Sequence, residues 1–107
     1  MNIEYKIELQ EEHIPVRGNA LASGDDAEDK RVEDEIINRL NCGDMWAWCS
    51  VRVVAYIPGI DLEGDDYLGG CCYTDENDFK QCGYFEDMKK QAKTDLLNKI
   101  NAVKALG

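Results

Sequence analysis

Histidine and proline are scarce in this sequence of 107 residues, and basic side chains are few. The single histidine, His13, has no Ser or Cys motif beside it, and no pair of carboxylates is set apart as an acid and a base. The segment Gly18–Gly24 lacks the lysine of a phosphate-binding P-loop. We therefore expect a non-enzymatic protein without a cofactor.

Long apolar runs are also missing, since none approaches the roughly 20 residues of a membrane span. The polar, alternating segment Met1–Lys6 predicts no secretory signal. The five cysteines are an odd number and lack the close pairs of a zinc site, and neighbours such as Cys71 and Cys72 point to opposite faces of a strand. We expect reduced thiols, no metal site and a cytoplasmic protein.

Acidic side chains, in contrast, are abundant: 22 Asp and Glu face 12 Lys and Arg, for a net charge of −10. Residues 1–80 carry −12, and residues 81–107 carry +2. Such a field repels nucleic acid and steers a protein towards a basic partner. The alternative is that acidity only keeps the chain soluble.

The first predicted helix has mixed charge, because pairs such as Lys30 and Asp34 are spaced for ion pairing. The purer acidic stretches lie further along the chain. We predict partner binding there, at Asp61, Glu63, Asp65, Asp66, Asp75, Glu76 and Asp78.

The apolar pattern predicts one domain of the α+β class, spanning residues 1–107, with the order β-α-β-β-α. Strict alternation indicates a strand, and apolar residues recurring every three or four positions indicate a helix. We expect a three-stranded, mainly antiparallel sheet with two helices packed on one face. The predicted strands are Asn2–Gln10, Met45–Ile57 and Asp66–Tyr73, and the predicted helices are Asp25–Asn41 and Tyr84–Ala105.

Local signals refine this outline. Ser23 is the predicted N-cap of the first helix and Gly43 its predicted stop. Gly69-Gly70 indicates a bulge or a close backbone approach in the third strand. Arg17, in the loop before the first helix, is expected to pair with Asp29 or Glu33.

A second candidate surface is aromatic. In the predicted strand Met45–Ile57, one face carries Trp46, Trp48, Arg52 and Tyr56. Aromatic residues with arginine are enriched in the cores of interfaces. Three interpretations stay open: the loop Glu11–Gly24 covers this face, the chain forms a homodimer through it, or a foreign partner binds there.

Five strings, in order, resemble a group of short acidic proteins encoded by bacteriophages and prophages. They are Val16–Asp26 (VRGNALASGDD), Glu33–Ile37 (EDEII), Gly43–Trp48 (GDMWAW), Asp66–Gly69 (DYLG) and Gly83–Met88 (GYFEDM). Small phage accessory proteins often counter host defence, and anti-CRISPR proteins are the best-known class. The resemblance implies binding to a CRISPR effector or a similar defence protein in the host bacterial cytoplasm, and it assigns no functional residues.

Overall fold

Three strands and three helices form the chain in a computed structural model that describes residues 2–21 and 23–106. The order of elements along the chain is β-α-β-β-α-α, with a short 3-10 turn at Met45–Ala47 before the second strand. The strands are β1 (Glu4–Gln10), β2 (Cys49–Tyr56) and β3 (Glu63–Cys71), and the helices are α1 (Asp26–Asn41), α2 (Glu76–Gln81) and α3 (Tyr84–Leu106).

The strands form one antiparallel sheet in the order β1-β2-β3, which confirms the α+β class and the antiparallel sheet. The register shifts by one residue on β3 between the partners of Cys49 and Val51. Gly70 takes a positive φ of 62° at this point. The predicted irregularity at Gly69-Gly70 is therefore a β-bulge, where glycine adopts the required backbone without strain.

Helix α3 supplies the main core. Met88, Ala92 and Leu96 on α3 are buried against the inward side chains of β2, with Phe79 of α2 completing the cluster. These α3 positions repeat every four residues, as expected for one face of a helix. The predicted last helix is confirmed and runs one residue further than expected.

Helix α1 belongs to a second apolar cluster. Ile36 packs with Val16, Ala47 and Trp48, so α1 lies against the 3-10 turn and against the loop that connects β1 to α1. Arg39 joins this cluster to the sheet, because its Nη2 donates to the carbonyl of Tyr73 at 2.7 Å. Packing of two long helices on one sheet face is thus not confirmed.

The two clusters lie side by side and give an elongated molecule of 60 × 24 × 22 Å. Its radius of gyration is 17.2 Å, whereas a compact domain of this size has about 13 Å. Among the helices in the described part of the chain, α3 alone packs along the strands, on the side that carries Val51 and Val53, so the opposite face has no helix packed along it. That face is the feature from which the candidate site is built.

The ends of several elements differ from the prediction for local reasons. Asp44 accepts from the N–H of Trp46 at 3.1 Å and caps the 3-10 turn, so β2 begins at Cys49 instead of Met45. Asp25 caps α1 in place of Ser23, whose hydroxyl donates to Asp29. Gly43 follows the last turn with a φ of 87°, as predicted for a helix stop.

Candidate protein-binding surface

Alternation along β2 separates a covered face from an open face. Cys49, Val51, Val53 and Ala55 point to α3 and are fully buried. Successive strand side chains point to opposite sides, so Arg52 and Tyr56 lie on the other side. We call this side the open face; it comprises Glu4, Lys6, Glu8, Gln10, Ser50, Arg52, Val54, Tyr56, Glu63, Asp65 and Tyr67.

Gly64 determines where α3 rests. A Cβ atom at Gly64 would lie 2.2 Å from the carbonyl oxygen of Ala92 and 2.2 Å from the amide nitrogen of Leu96. The backbone of α3 therefore sits directly on β3, at a distance that only glycine allows. The N–H of Asp65 donates to Asp95 Oδ2 at 3.0 Å and fixes the helix along this strand.

Arg52 is the centre of the open face. Its guanidinium donates to Glu8 at 2.8 Å and to Asp65 at 3.0 Å, and it lies 3.6 Å from Glu63. Its side chain is only 18% exposed. Burial lowers the pKa of Arg52, but the hydrogen bonds to Asp65 and Glu8 more than offset this, so the pKa stays above its usual value. Three carboxylates around one guanidinium leave the cluster negatively charged.

Two tyrosines flank this cluster. Tyr67 is 52% exposed, and the guanidinium of Arg52 lies 5.9 Å from the centre of its ring. The ammonium of Lys6 lies 5.4 Å from the ring of Tyr56. Val54 is fully buried although it belongs to this side, so the long side chains around it close over the strand. The open face is thus an acidic surface with the aromatic rings of Tyr56 and Tyr67 beside the charged cluster.

The predicted acidic residues around β3 do not share one surface. The strand begins at Glu63 instead of Asp66, which places Glu63 and Asp65 on the open face. Asp66 is opposite the inward-facing Val53, on the α3 side of the sheet. Asp61 lies in the exposed loop before the strand.

The second acidic segment serves the start of α2. Asp75 caps the helix by accepting from the N–H of Asp78, and Asp78 accepts from the N–H of Thr74. Glu76 pairs with Lys80 at 3.3 Å. This segment follows the far end of β3, about 25 Å along the strand from the first segment. Joint action of the two segments at one surface is therefore unsupported.

The predicted aromatic face is likewise divided. Trp46 lies in the 3-10 turn and packs beside Tyr73 and Phe79, with ring centres 6.4 and 5.8 Å away. Trp48 is buried, and its Nε1 donates to the carbonyl of Ile14 at 2.7 Å. The loop after β1 thus covers Trp48, and only Arg52 and Tyr56 of the predicted set lie on the open face.

The same loop is held by Glu33. This carboxylate is only 7% exposed and accepts from the N–H of Gly18 at 2.6 Å and from Arg17 Nη1 at 3.2 Å. The expected pairing of Arg17 with Glu33 is present. Asp29 instead accepts from Ser23. Glu33 thus fixes the loop that covers Trp48.

Sequence reasoning missed Glu8 and Tyr67 as members of the site. Neither residue is among the predicted acidic or aromatic partner-binding residues. The signal that finds them is cross-strand register: Glu8 and Tyr67 are the two partners of Arg52. Register needs the pairing of distant segments, which alternation within one strand does not provide.

The cysteines are all free. Cys49 and Cys71 are buried, and burial raises the pKa of their thiols to about 12 and about 11. Within residues 2–21 and 23–106, no group of three or more Cys, His, Asp or Glu side chains could hold a metal ion. No helix of this part of the chain has the length and apolar character needed to cross a bilayer.

Comparison with protein-family models, with curated proteins and with solved structures gave no match for this chain.

Proposed function

We propose that this chain is a non-catalytic binding protein whose open face engages a basic surface of another protein. The observation that carries the proposal is the Arg52 cluster, in which Glu8, Glu63 and Asp65 surround one guanidinium on a face with no helix packed along it. Asp61, in the adjacent loop, adds a further exposed carboxylate.

Charge and aromatic rings have different roles in this binding. The net charge of −10 draws a basic partner by long-range attraction and speeds encounter. Tyr67 and Tyr56 supply contact area once the surfaces meet, since tyrosine is enriched among residues that dominate binding energy. Arg52 holds Glu8 and Asp65 in fixed positions, so fewer rotamers are lost on binding.

The resemblance to phage accessory proteins suggests the partner. We propose a nucleic-acid-handling defence protein of the bacterial host, possessing a basic groove that normally holds DNA or a guide RNA. By occupying that groove the chain would act as an anti-CRISPR-like inhibitor in the host bacterial cytoplasm. Carboxylates positioned on a rigid sheet compete with phosphates for the same lysines and arginines.

A phage-plating assay tests this function. Expression of the chain in a host with an active CRISPR system should restore plating of a targeted phage. Glu63→Lys combined with Asp61→Lys should abolish the effect, because the open face then loses its negative excess. Glu35→Lys combined with Glu86→Lys is the matched control: it makes the same two charge reversals away from the open face, where Glu35 on α1 is 68% exposed and Glu86 on α3 is 66% exposed.

Binding to the purified effector provides the physical readout. Affinity should fall steeply between 50 and 500 mM salt, since the contacts are largely ionic and screening shortens their range. Tyr67→Ser should weaken binding without changing its salt dependence. Equal activity of the Asp61/Glu63 double variant and the Glu35/Glu86 control would contradict the proposal.

A second candidate is a homodimeric interaction module that works through its aromatic sheet face. The exposure of Tyr67 beside Arg52 on the open face favours it, whereas burial of Trp48 and partial burial of Trp46 remove most of the originally predicted contact area. Sedimentation separates the two candidates, because loss of a dimer in Tyr67→Ser would support self-association through this face.

A further inference from the structure

The two edges of the sheet differ in how their backbone groups are used. On β3, the outer N–H of Asp65 donates to Asp95, and the carbonyl of Glu63 accepts from Lys99 Nζ at 2.8 Å. The bulge N–H of Gly70 donates to Glu12 at 2.6 Å. The edge formed by β3 is therefore occupied by the chain itself. Proteins commonly protect sheet edges in this way.

The register identifies which groups of β1 point outwards. The N–H of Asp65 points away from β2, because it bonds to α3. In antiparallel sheets, backbone groups face alternate sides from one residue to the next. Val54 lies opposite Asp65, so the N–H and C=O groups of Val54 point towards β1, where its partner is Lys6. Lys6 and the other even residues of β1 bond to β2, and the odd residues face outwards.

The outward groups of β1 belong to Tyr5, Ile7 and Leu9. No hydrogen bond within residues 2–21 and 23–106 reaches their N–H or C=O groups. A groove of about 330 Å³ runs beside the strand, lined by Tyr5, Lys6, Ile7, Glu76, Lys80 and Phe85. One edge of the sheet is thus occupied, and the other is open for another strand.

We infer that β1 pairs with β1 of a second copy of this chain, antiparallel and with Ile7 opposite Ile7. The sequence of β1 is self-complementary in this register. Lys6 of each copy then lies opposite Glu8 of the other, on the same side of the sheet. On the opposite side, Tyr5 of each copy lies opposite Leu9 of the other, and the two Ile7 side chains meet.

Neighbouring registers fail on charge or on pattern. A shift of two residues places Lys6 opposite Lys6 or Glu8 opposite Glu8, which repel each other. A shift of one residue places charged side chains of one copy on the apolar side of the other. Only the register centred on Ile7 pairs unlike charges and keeps both faces of the sheet consistent.

The geometry of the pairing supports the ion pairs. Tyr5, Ile7 and Leu9 form the hydrogen-bonded pairs, two bonds in each of three pairs, or about six in all. Lys6 and Glu8 fall in the non-hydrogen-bonded pairs, where side chains approach most closely. The result is a twofold-symmetric dimer with one continuous sheet. Because a strand edge buries less than the roughly 1,600 Å² of a standard interface, we expect a dissociation constant in the micromolar range.

Sedimentation equilibrium of the full chain without any foreign partner tests this dimer. The wild type should be dimeric at 200 µM and largely monomeric at 1 µM. Lys6→Glu should shift the equilibrium to monomer at least tenfold, because it places two glutamates opposite each other across the interface, and Lys6→Gln, which removes the ion pair without adding repulsion, should shift it less. Lys93→Glu, on the exposed side of α3, controls for the change in net charge. Circular dichroism verifies that each variant is folded.

Hydrogen exchange by NMR provides the second readout. The amides of Tyr5, Ile7 and Leu9 should exchange at least tenfold more slowly at 200 µM than at 1 µM, while those of Lys6 and Glu8 stay protected at both concentrations. The inference would be overturned if the wild type were monomeric at 200 µM or if Lys6→Glu remained dimeric. It would also be overturned if the exchange rates of the Tyr5, Ile7 and Leu9 amides did not change with concentration. None of these results bears on binding to a basic partner, so the proposed function is tested separately.

Discussion

Substitution of Gly64 by alanine gives the sharpest test of how α3 lies on the sheet. An added Cβ would lie 2.2 Å from Ala92 O and Leu96 N, and 2.8 Å from Leu96 Cα. All three are backbone atoms, so no side-chain rotation relieves the contact. To reach an ordinary separation of about 3.4 Å, the helix must move away from β3 by about 1 Å.

The cost follows from the residues that α3 buries. Ala92 and Leu96 are fully buried against the sheet, and a displaced helix loses part of that packing. Overpacking of this kind costs about 1–3 kcal/mol, and more when backbone must move. Alanine also restricts the unfolded chain, which offsets about 0.5–1 kcal/mol. We expect Gly64→Ala to lower the free energy of unfolding by about 2–3 kcal/mol and Tm by about 10 °C or more.

Urea unfolding followed by circular dichroism measures this change. Gly69→Ala is the control on the same strand, because its Cβ would meet only the side-chain carboxylate of Glu12, at 3.0 Å, and no backbone atom. The control should lose less than about 1 kcal/mol. Ala92→Gly should not rescue Gly64→Ala, since the contact is with backbone. An unfolding free energy within about 0.5 kcal/mol of wild type for Gly64→Ala would refute the close approach of α3.

Three further predictions concern the loop, the thiols and acid stability. Glu33→Ala leaves the N–H of Gly18 without its acceptor, so it should lower the free energy of unfolding by about 1–3 kcal/mol. It should also shift the tryptophan fluorescence to longer wavelength, because the loop no longer covers Trp48. The control Glu35→Ala should change neither quantity. A thiol reagent at pH 8 should label the exposed Cys42 and Cys82 at once and Cys72 more slowly, because desolvation raises the pKa of the Cys72 thiol. Cys49 and Cys71 should react only on unfolding, since both are buried and burial raises the pKa of their thiols. Rapid labelling of all five would contradict this. Hydrogen bonds from Ile14 and Gly70 hold the pKa of Glu12 below its usual value of 4.5, so its contribution to stability is complete above about pH 5 and is lost as pH falls through the folded pKa. Glu12→Gln should therefore lose less stability than wild type on acidification, as measured by urea midpoints between about pH 5 and 3.

Strong periodicity made much of the fold predictable from the sequence. The alternation of β1 and the apolar repeat of α3 are local signals, and both elements are where the pattern placed them. The packing of α1 was not predictable, because its apolar stripe fits any apolar surface. Its position depends on Trp48 and on the loop held by Glu33, which are contacts between distant segments.

Strand boundaries and one covering loop account for most of the errors in the predicted site. The start of β2 at Cys49 leaves Trp46 in the 3-10 turn, and the loop after β1 covers Trp48. The start of β3 at Glu63 adds two carboxylates to the open face. Each shift is only three or four residues, yet together they change the composition of the surface. Strand ends depend on caps and pairing partners, and alternation alone does not locate them.

The acidic residues and the aromatic strand, which the sequence presents as rival sites, consequently meet on one face around Arg52. Pairing of β1 with a second copy would extend this surface further. Strands within a continuous antiparallel sheet keep equivalent faces on the same side, so the dimer would present two open faces next to each other. Two linked faces bind a bivalent basic partner with a higher effective concentration than one face does. Because Lys6 itself lies on the open face, the substitution Lys6→Glu also makes that face more acidic, so the ratio of two affinities is the informative measurement. The ratio of the affinity for a partner with two basic sites to that for a partner with one should fall in Lys6→Glu, which is monomeric, and stay unchanged in the control Lys93→Glu.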